Sequence, residues 1–350
     1  MRSCAAIKLS LHIMRPRQPA GKRLVGKHRA GKHRAGKHWA RKHWARKHWA
    51  KKHWAGSLVL AFGLMATAAA FAAARLDRHE DTAQLAGSYT WRASPDWFGG
   101  FSGIELSADG SQMVVLSDRA HVVRADIHRQ DGEIADISLR SAQHLRTSKG
   151  RQLLGRIMDS EGLAQAPDGT LYISFEGLSR VVHHQTEASR ARVLPRPNEF
   201  RGLPLNKSLE ALAIDPQGRL YTLPENALNA AGEIPVWRWN GSQWSQPFTL
   251  PPRGGFLPVG ADFGPDGRFY LLERNFVFIG FRSRLRRWDI TKQGAINEVT
   301  LLESSTGVHD NLEGLSVWRD AKGRLRATMV SDDNFKALQR TELVEYILPQ

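Results

Sequence analysis

Short apolar runs alternate with polar turns through the second two thirds of the chain, and one arrangement recurs five times. Ser102-Gly103-Ile104-Glu105-Leu106-Ser107-Ala108-Asp109-Gly110 leads into Met113-Val114-Val115-Leu116-Ser117-Asp118. Glu161-Gly162-Leu163-Ala164-Gln165-Ala166-Pro167-Asp168-Gly169 leads into Leu171-Tyr172-Ile173-Ser174-Phe175-Glu176. The pattern returns at Glu210 to Glu225, at Val259 to Glu273 and at Glu313 to Asp332. Each unit reads as strand, Asp-Gly-type turn, strand, because Asp and Gly tolerate the backbone of a tight hairpin. Further strands are expected at His121 to Ile127, Ser179 to His184, Val236 to Trp239 and Leu285 to Ile290. No helical period of useful length appears in this region.

The unit starts lie 59, 49, 49 and 54 residues apart. That spacing, with four short strands per unit, is the signature of propeller blades. The expected fold is an all-β propeller over residues 85–350, with five blades, six being the alternative if a degenerate blade lies in the long first interval. The last unit has three clear strands, ending in Glu342 to Leu348. Gly87-Ser88-Tyr89-Thr90-Trp91 is expected to supply the fourth and close the ring without a covalent link, which removes open sheet edges.

The N-terminal region is different. The chain has 350 residues and a formal charge of +16. Met1 to Ala74 holds 17 of the 50 Lys and Arg and no acid, and from Leu76 on 32 basic residues face all 34 acidic ones. The basicity therefore belongs to the leader and gives no reason to expect a nucleic-acid partner for the body. Residues 1–56 include a pentapeptide repeat, GKHRA to KKHWA, with His28, His33, His38, His43, His48 and His53 in register. It suits a metal-binding His tract or a basic arm, or more simply a repeat expansion ahead of a targeting signal. Residues 57–74 are apolar and Ala-rich with Ala-x-Ala sites, so the segment reads as a signal peptide cleaved after Ala72 or Ala74, with an uncleaved anchor as the alternative. The expected location is periplasmic or secreted, with membrane contact only through this segment. The one cysteine, Cys4, lies in the leader, so the body forms no disulfide and no thiolate metal site.

Two-residue turns would set Glu161 opposite Glu176, Glu210 opposite Glu225 and Glu313 opposite Asp332. All six acids would then meet at one mouth of the central channel, and like charges so paired repel. Relief can come from a hard cation, Ca²⁺ above all, or from Arg119, Lys207 and Arg274. The bland alternative is that each acid hydrogen-bonds the neighbouring blade's backbone. His309 precedes Glu313 by four residues and is the candidate general acid or base at that mouth. The chain has no Gly-x-Ser-x-Gly elbow, no His-Glu-x-x-His and no phosphate loop.

Phe101-Ser102-Gly103-Ile104, Ser117-Asp118-Arg119, Asp159-Ser160-Glu161-Gly162, Asn206-Lys207-Ser208-Leu209-Glu210, Leu272-Glu273-Arg274 and Asn311-Leu312-Glu313-Gly314-Leu315 together resemble the bacterial family named for the esterase-like activity of phytase. The resemblance spans roughly Gly87 to Leu348. It implies an exported propeller that hydrolyses a small phosphate ester or other ester. The Asp-Ala-Asp-Asp-Pro-Ala type signature of the calcium-dependent propeller phytases is missing, so phytate itself is not implied. For a metal-assisted hydrolase acting at this mouth, Glu161, Glu313 and His309 are the expected catalytic residues and Arg119, Lys207 and Arg274 the expected substrate-binding ones. The metal ligands would be Glu161, Glu176, Glu210, Glu225, Glu313 and Asp332. A monomer is expected. A propeller that binds a ligand or an envelope partner without turnover is the other class of function, since the fold hosts both.

Overall fold

The computed structural model describes residues 82–349. The His repeat and the apolar signal segment lie outside the described residues. Strand β1 (Gln84–Thr90) comes first, and four blades follow in chain order. Blade 1 is β2 (Phe101–Leu106), β3 (Gln112–Ser117), β4 (His121–Gln130) and β5 (Glu133–His144). Blade 2 is β6 (Ser160–Gln165), β7 (Leu171–Phe175), β8 (Arg180–His184) and β9 (Arg192–Val193). Blade 3 is β10 (Leu209–Ile214), β11 (Leu220–Pro224), β12 (Ile234–Trp239) and β13 (Trp244–Leu250). Blade 4 is β14 (Leu257–Phe263), β15 (Phe269–Val277), β16 (Gly280–Thr291) and β17 (Gly294–Glu303).

Blade 5 is β18 (Asn311–Arg319), β19 (Leu325–Asp332) and β20 (Glu342–Ile347), with β1 as its outer strand. The pairs Tyr89↔Leu343 and Thr90↔Glu342 fix that closure. The ring has five blades, and the long first interval holds the extended connection between β5 and β6 rather than a sixth blade.

Inner strands β2, β6, β10, β14 and β18 contact one another in a closed ring. The apolar core divides into five clusters, one at each junction between adjacent blades. Val114, Leu116 and Val122 of blade 1, for example, pack with Leu163, Ile173 and Phe175 of blade 2. Each sheet thus buries both faces against its neighbours, which is why the strands read as nearly continuous apolar runs rather than alternating ones.

Small residues let the inner strands approach. A Cβ added at Gly162 would collide with the Glu210 carbonyl oxygen, and one at Gly260 with the Glu313 carbonyl oxygen. At Gly103 and Gly314 an added Cβ would come within 2.7 Å of Leu163 Cβ and 2.9 Å of Ile104 N respectively, also too close, and Ala211 holds the fifth equivalent place.

Candidate functional site

The inner hairpins do not turn through two residues. In blade 2 the Ala166 N–H reaches the Thr170 carbonyl at 2.9 Å and the Gly169 N–H the Ala166 carbonyl at 2.9 Å, leaving a three-residue loop with Gly169 at φ 87°. Blades 3 and 5 repeat it, with Gly218 and Gly323 both at φ 76°. This moves the register by one, and a bulge in each inner strand moves it again. Ser160 faces Phe175, Leu209 faces Pro224, and Asn311 faces Asp332. The expected facing pairs Glu161–Glu176, Glu210–Glu225 and Glu313–Asp332 therefore do not form as cross-strand pairs.

All five inner strands carry the bulge at the same place. It falls at Ser102, Glu161, Glu210, Val259 and Glu313, each followed by the small residue already described. A bulge leaves one residue unpaired and re-aims its side chain. On the second strands, the residues one position beyond the partner of the residue before each bulge form a companion set: Asp118, Glu176, Glu225, Arg274 and Asp332. Aligned by the bulges, blade 4 contributes Arg274 where each other blade contributes an acid. Glu273 points elsewhere, held by Arg284 at 2.8 Å and Arg286 at 2.5 Å in a buried ion network.

The two sets meet, as the mutual repulsion of Glu161, Glu210, Glu313 and Glu176 shows. The mouth then divides in two. On one side Arg274 pairs with Glu225 at 3.0 Å and with Glu313, and donates to Asn311 Oδ1 at 2.7 Å. Lys207 Nζ adds a pair with Glu225 at 3.3 Å, and Asn311 Nδ2 bridges Glu313 and Asp332 at 2.8 and 3.3 Å. Burial still drives Glu313 up to about 8, Arg274 opposing and Asp332 adding to the rise. Arg274 and Lys207, expected to hold substrate, are thus committed to the protein's own carboxylates.

On the other side Asp159, Glu161 and Glu176 each offer an oxygen, all within 4.8 Å of one another. Glu176 accepts the Ser208 N–H at 2.9 Å and a hydrogen bond from the Glu210 carboxyl. Glu161 is 9% exposed and makes no hydrogen bond or ion pair with any described residue. Burial, then the charges of Glu210 and Glu313, hold its pKa well above the usual carboxylate range.

Asp118 borders this group. Burial and then Asp332 push it up to about 7, against the pull of Arg119. Arg119 is exposed, lies over the Phe335 ring at 3.3 Å, and forms no ion pair among the described residues. Of the three expected substrate-binding cations it is the one left uncommitted.

His309 is not at the mouth. It is 6% exposed in the junction of blades 4 and 5, its Nε2 lies 2.7 Å from the Tyr346 hydroxyl, and burial lowers its pKa. Its charged neighbours are Glu342 and Arg340 rather than the mouth acids. Its nearness to Glu313 in sequence misleads because the chain enters β18 between the two.

Asp159, Asp118 and Asn311 stand outside the expected ligand set. Asp159 could have been found two residues before a bulge acid, and Asp118 from its alignment with Glu176. The opposite end of the channel shows the bland alternative at work: Asp262 accepts the Val317 N–H at 2.6 Å and Glu105 the Gln165 N–H at 3.3 Å, each tying one blade to the next.

Several solved structures align with the chain at low identity and low TM-score. A calcium-binding regucalcin from Agrobacterium tumefaciens aligns at a TM-score of 0.44 and 11% identity, over 76% of this chain and 96% of its own. A gluconolactonase from Xanthomonas campestris aligns at 0.39 and 13%, over 70% and 72%. The PQQ-bound aldose sugar dehydrogenase of Streptomyces coelicolor aligns at 0.40 and 13%, over 74% and 97%. No curated protein matches the chain significantly. The profile of the Phytase-like family, described as esterase-like activity of phytase, matches residues 96–335, a stretch that contains every residue of the acid mouth, and the chain belongs to that family.

Proposed function

We propose that this propeller hydrolyses a small ester or phosphoester at the acid mouth, with a divalent cation, Ca²⁺, held by Asp159, Glu161 and Glu176. The observation that carries the proposal is Glu161: a buried carboxylate without a partner, among two others within 4.8 Å. An unpaired buried charge is costly, so such a group is protonated or compensated by something outside the chain. Three carboxylates are hard oxygen donors and suit Ca²⁺, whose six to eight oxygen ligands leave room for water and substrate. Bound there, the ion supplies positive charge for a substrate oxyanion and makes a water more acidic.

The chain's own residues supply the rest. Arg119, stacked on Phe335 and free of ion pairs among the described residues, receives a substrate oxygen. Asp118, with a pKa of about 7, takes the proton of the attacking water. The Arg274 half acts as a fixed wall whose charges are already neutralised. Export to the periplasm or beyond, or retention by an N-terminal anchor, belongs to the same proposal, as does action as a monomer.

The test is turnover of p-nitrophenyl acetate and p-nitrophenyl phosphate by purified protein, with calcium and with EDTA. Calcium-dependent hydrolysis lost in Glu161→Gln is the expected result. Calcium binding without turnover of any ester would make the mouth a ligand-binding site. Hydrolysis indifferent to calcium and to Glu161→Gln would overturn the assignment.

A further inference from the structure

A second site lies away from the channel, between blades 1 and 2, and owes nothing to the acid mouth. The connection from β5 to β6 folds over the outer strand of blade 2 and encloses a cavity of about 210 Å³. Phe175, Leu153, Val182 and Ala191 give it apolar walls, and Leu178 and Val193 form an exposed rim. Alternation along β8 sends Arg180, Val182 and His184 into this cavity and Val181 and His183 to the other face.

The two polar residues on that face are incompletely satisfied. Arg180 is 6% exposed and lies over the Phe175 ring at 3.8 Å. It donates to the Leu178 carbonyl at 3.0 Å and the Ile157 carbonyl at 2.5 Å, two of its five N–H groups. No acid pairs with it among the described residues. Its charged neighbour is a second cation, Arg196, which also lines the cavity, and burial together with Arg196 pulls the Arg180 pKa down to about 10. His184 is fully buried. Its Nδ1 lies 3.0 Å from the Ser189 carbonyl, so that nitrogen carries the proton, and Nε2 is left as a buried acceptor with no partner. A buried guanidinium without a counter-ion and a buried imidazole nitrogen without a donor are both expensive to maintain.

We propose that this cavity binds a small apolar carboxylate with a hydroxyl at its far end: the carboxylate on Arg180 and Arg196, the body against Phe175 and Leu153, the hydroxyl donating to His184 Nε2. Four residues of strand separate Arg180 from His184, about 13 Å between their Cα atoms, so the ligand is elongated rather than compact. A phenolic acid has this shape and this order of groups. Inorganic phosphate satisfies the arginines but neither the apolar walls nor His184.

Isothermal titration of the full chain with 4-hydroxycinnamate, in EDTA to silence the acid mouth, tests this. One site per chain is expected. The neutral 4-hydroxycinnamamide should bind at least about tenfold more weakly, and cinnamate, which lacks the hydroxyl, about tenfold more weakly, as befits a buried acceptor left unmade. Inorganic phosphate, which meets only the arginines, should displace it no more than weakly. Arg180→Met should abolish binding. Because that residue is buried, Val193→Trp, which plugs the exposed rim, provides a variant whose folding is not at risk, and it too should abolish binding. Absence of binding at millimolar 4-hydroxycinnamate, equal binding of acid and amide, or binding that survives Val193→Trp would each overturn the proposal.

Discussion

Replacing Glu161 by Gln keeps the shape of the side chain and removes its charge. The nearest carboxylate oxygens lie within 4.8 Å. Two unit charges at that distance repel by about 3.5 kcal/mol at an effective dielectric of 20 and by about 0.9 kcal/mol in water. Without a divalent ion, Glu161→Gln should therefore stabilise the protein at pH 8, by about 1–3 kcal/mol. For a domain of this size that is an increase of roughly 2–12 °C in Tm. The gain depends on pH in a fixed direction. The folded pKa of Glu161 is raised, so the wild-type carboxyl carries no penalty below its unfolded value near 4.5, and the penalty grows as pH rises toward the folded value. The advantage of the variant should thus be absent at pH 4 and largest at pH 8. Calcium should reverse the order: at a hundred times its Kd it adds about 2.7 kcal/mol to the wild type and little to the variant. Thermal denaturation in EDTA and in calcium, at pH 5 and pH 8, measures all of this. A variant that is less stable than wild type in EDTA at pH 8, with calcium inert toward both, would show that Glu161 has a structural partner and would refute the reasoning.

Arg274→Met leaves Glu225 and Glu313 buried without their cation and should cost about 3–5 kcal/mol at pH 8 by chemical denaturation. The loss should shrink at pH 5, where Glu313, with a pKa of about 8, is protonated in either protein. Asp118→Asn should lower kcat/KM for a chromogenic ester by about 10²–10⁴-fold and remove the rise in activity through about pH 7, while leaving the protein at pH 8 at least as stable as the wild type, since the raised folded pKa of Asp118 is itself a penalty there. An unchanged pH profile would take Asp118 out of the reaction. Gly162→Ala drives a Cβ into the Glu210 carbonyl and should cost about 1–3 kcal/mol, whereas Gly202→Ala, whose Cβ meets nothing closer than 3.5 Å, is a neutral control.

Much of the fold could be read from the sequence because a repeated unit betrays itself whatever its details. Asp109-Gly110, Asp168-Gly169 and Asp266-Gly267 mark three of the five inner turns, and the missing strand of the last blade can be assigned to Tyr89 and Thr90 because three strands do not complete a four-stranded blade. Register was not legible. A three-residue turn and a bulge each displace the pairing by one; the turn's only mark is Gly169, which a two-residue turn would also accept, and the bulge's only mark is Gly162, which an unbulged strand could also hold. The acids nonetheless lie at one end of the channel, since a shift of one or two positions does not move a residue from one mouth to the other. What failed was the finer division. Arg274 appeared as one of three equivalent cations, and only the bulge alignment puts it in the place where the other blades carry acids. His309 shows the opposite limit: closeness in sequence is not closeness in space across the start of a strand.

The bulges connect closure of the ring with its chemistry. Five inner strands around a narrow axis need a small residue where neighbouring backbones touch, and Gly103, Gly162, Ala211, Gly260 and Gly314 provide it. The bulge just before each frees one side chain from the ladder at the same level. A fivefold scaffold therefore presents five positions at one height, and nothing in the closure dictates what fills them. Blades 1 and 4 fill theirs with Ser102 and Val259, while blades 2, 3 and 5 use glutamate. Blade 4 also brings Arg274, which reaches Glu225 in blade 3 and Glu313 in blade 5, so its charge is spent on the two blades beside it. Blade 2 is beyond that reach. Among the described residues Glu161 is left unpartnered because the one guanidinium in the second ring stands elsewhere, and the departure from fivefold symmetry creates the place where the proposed cation would sit.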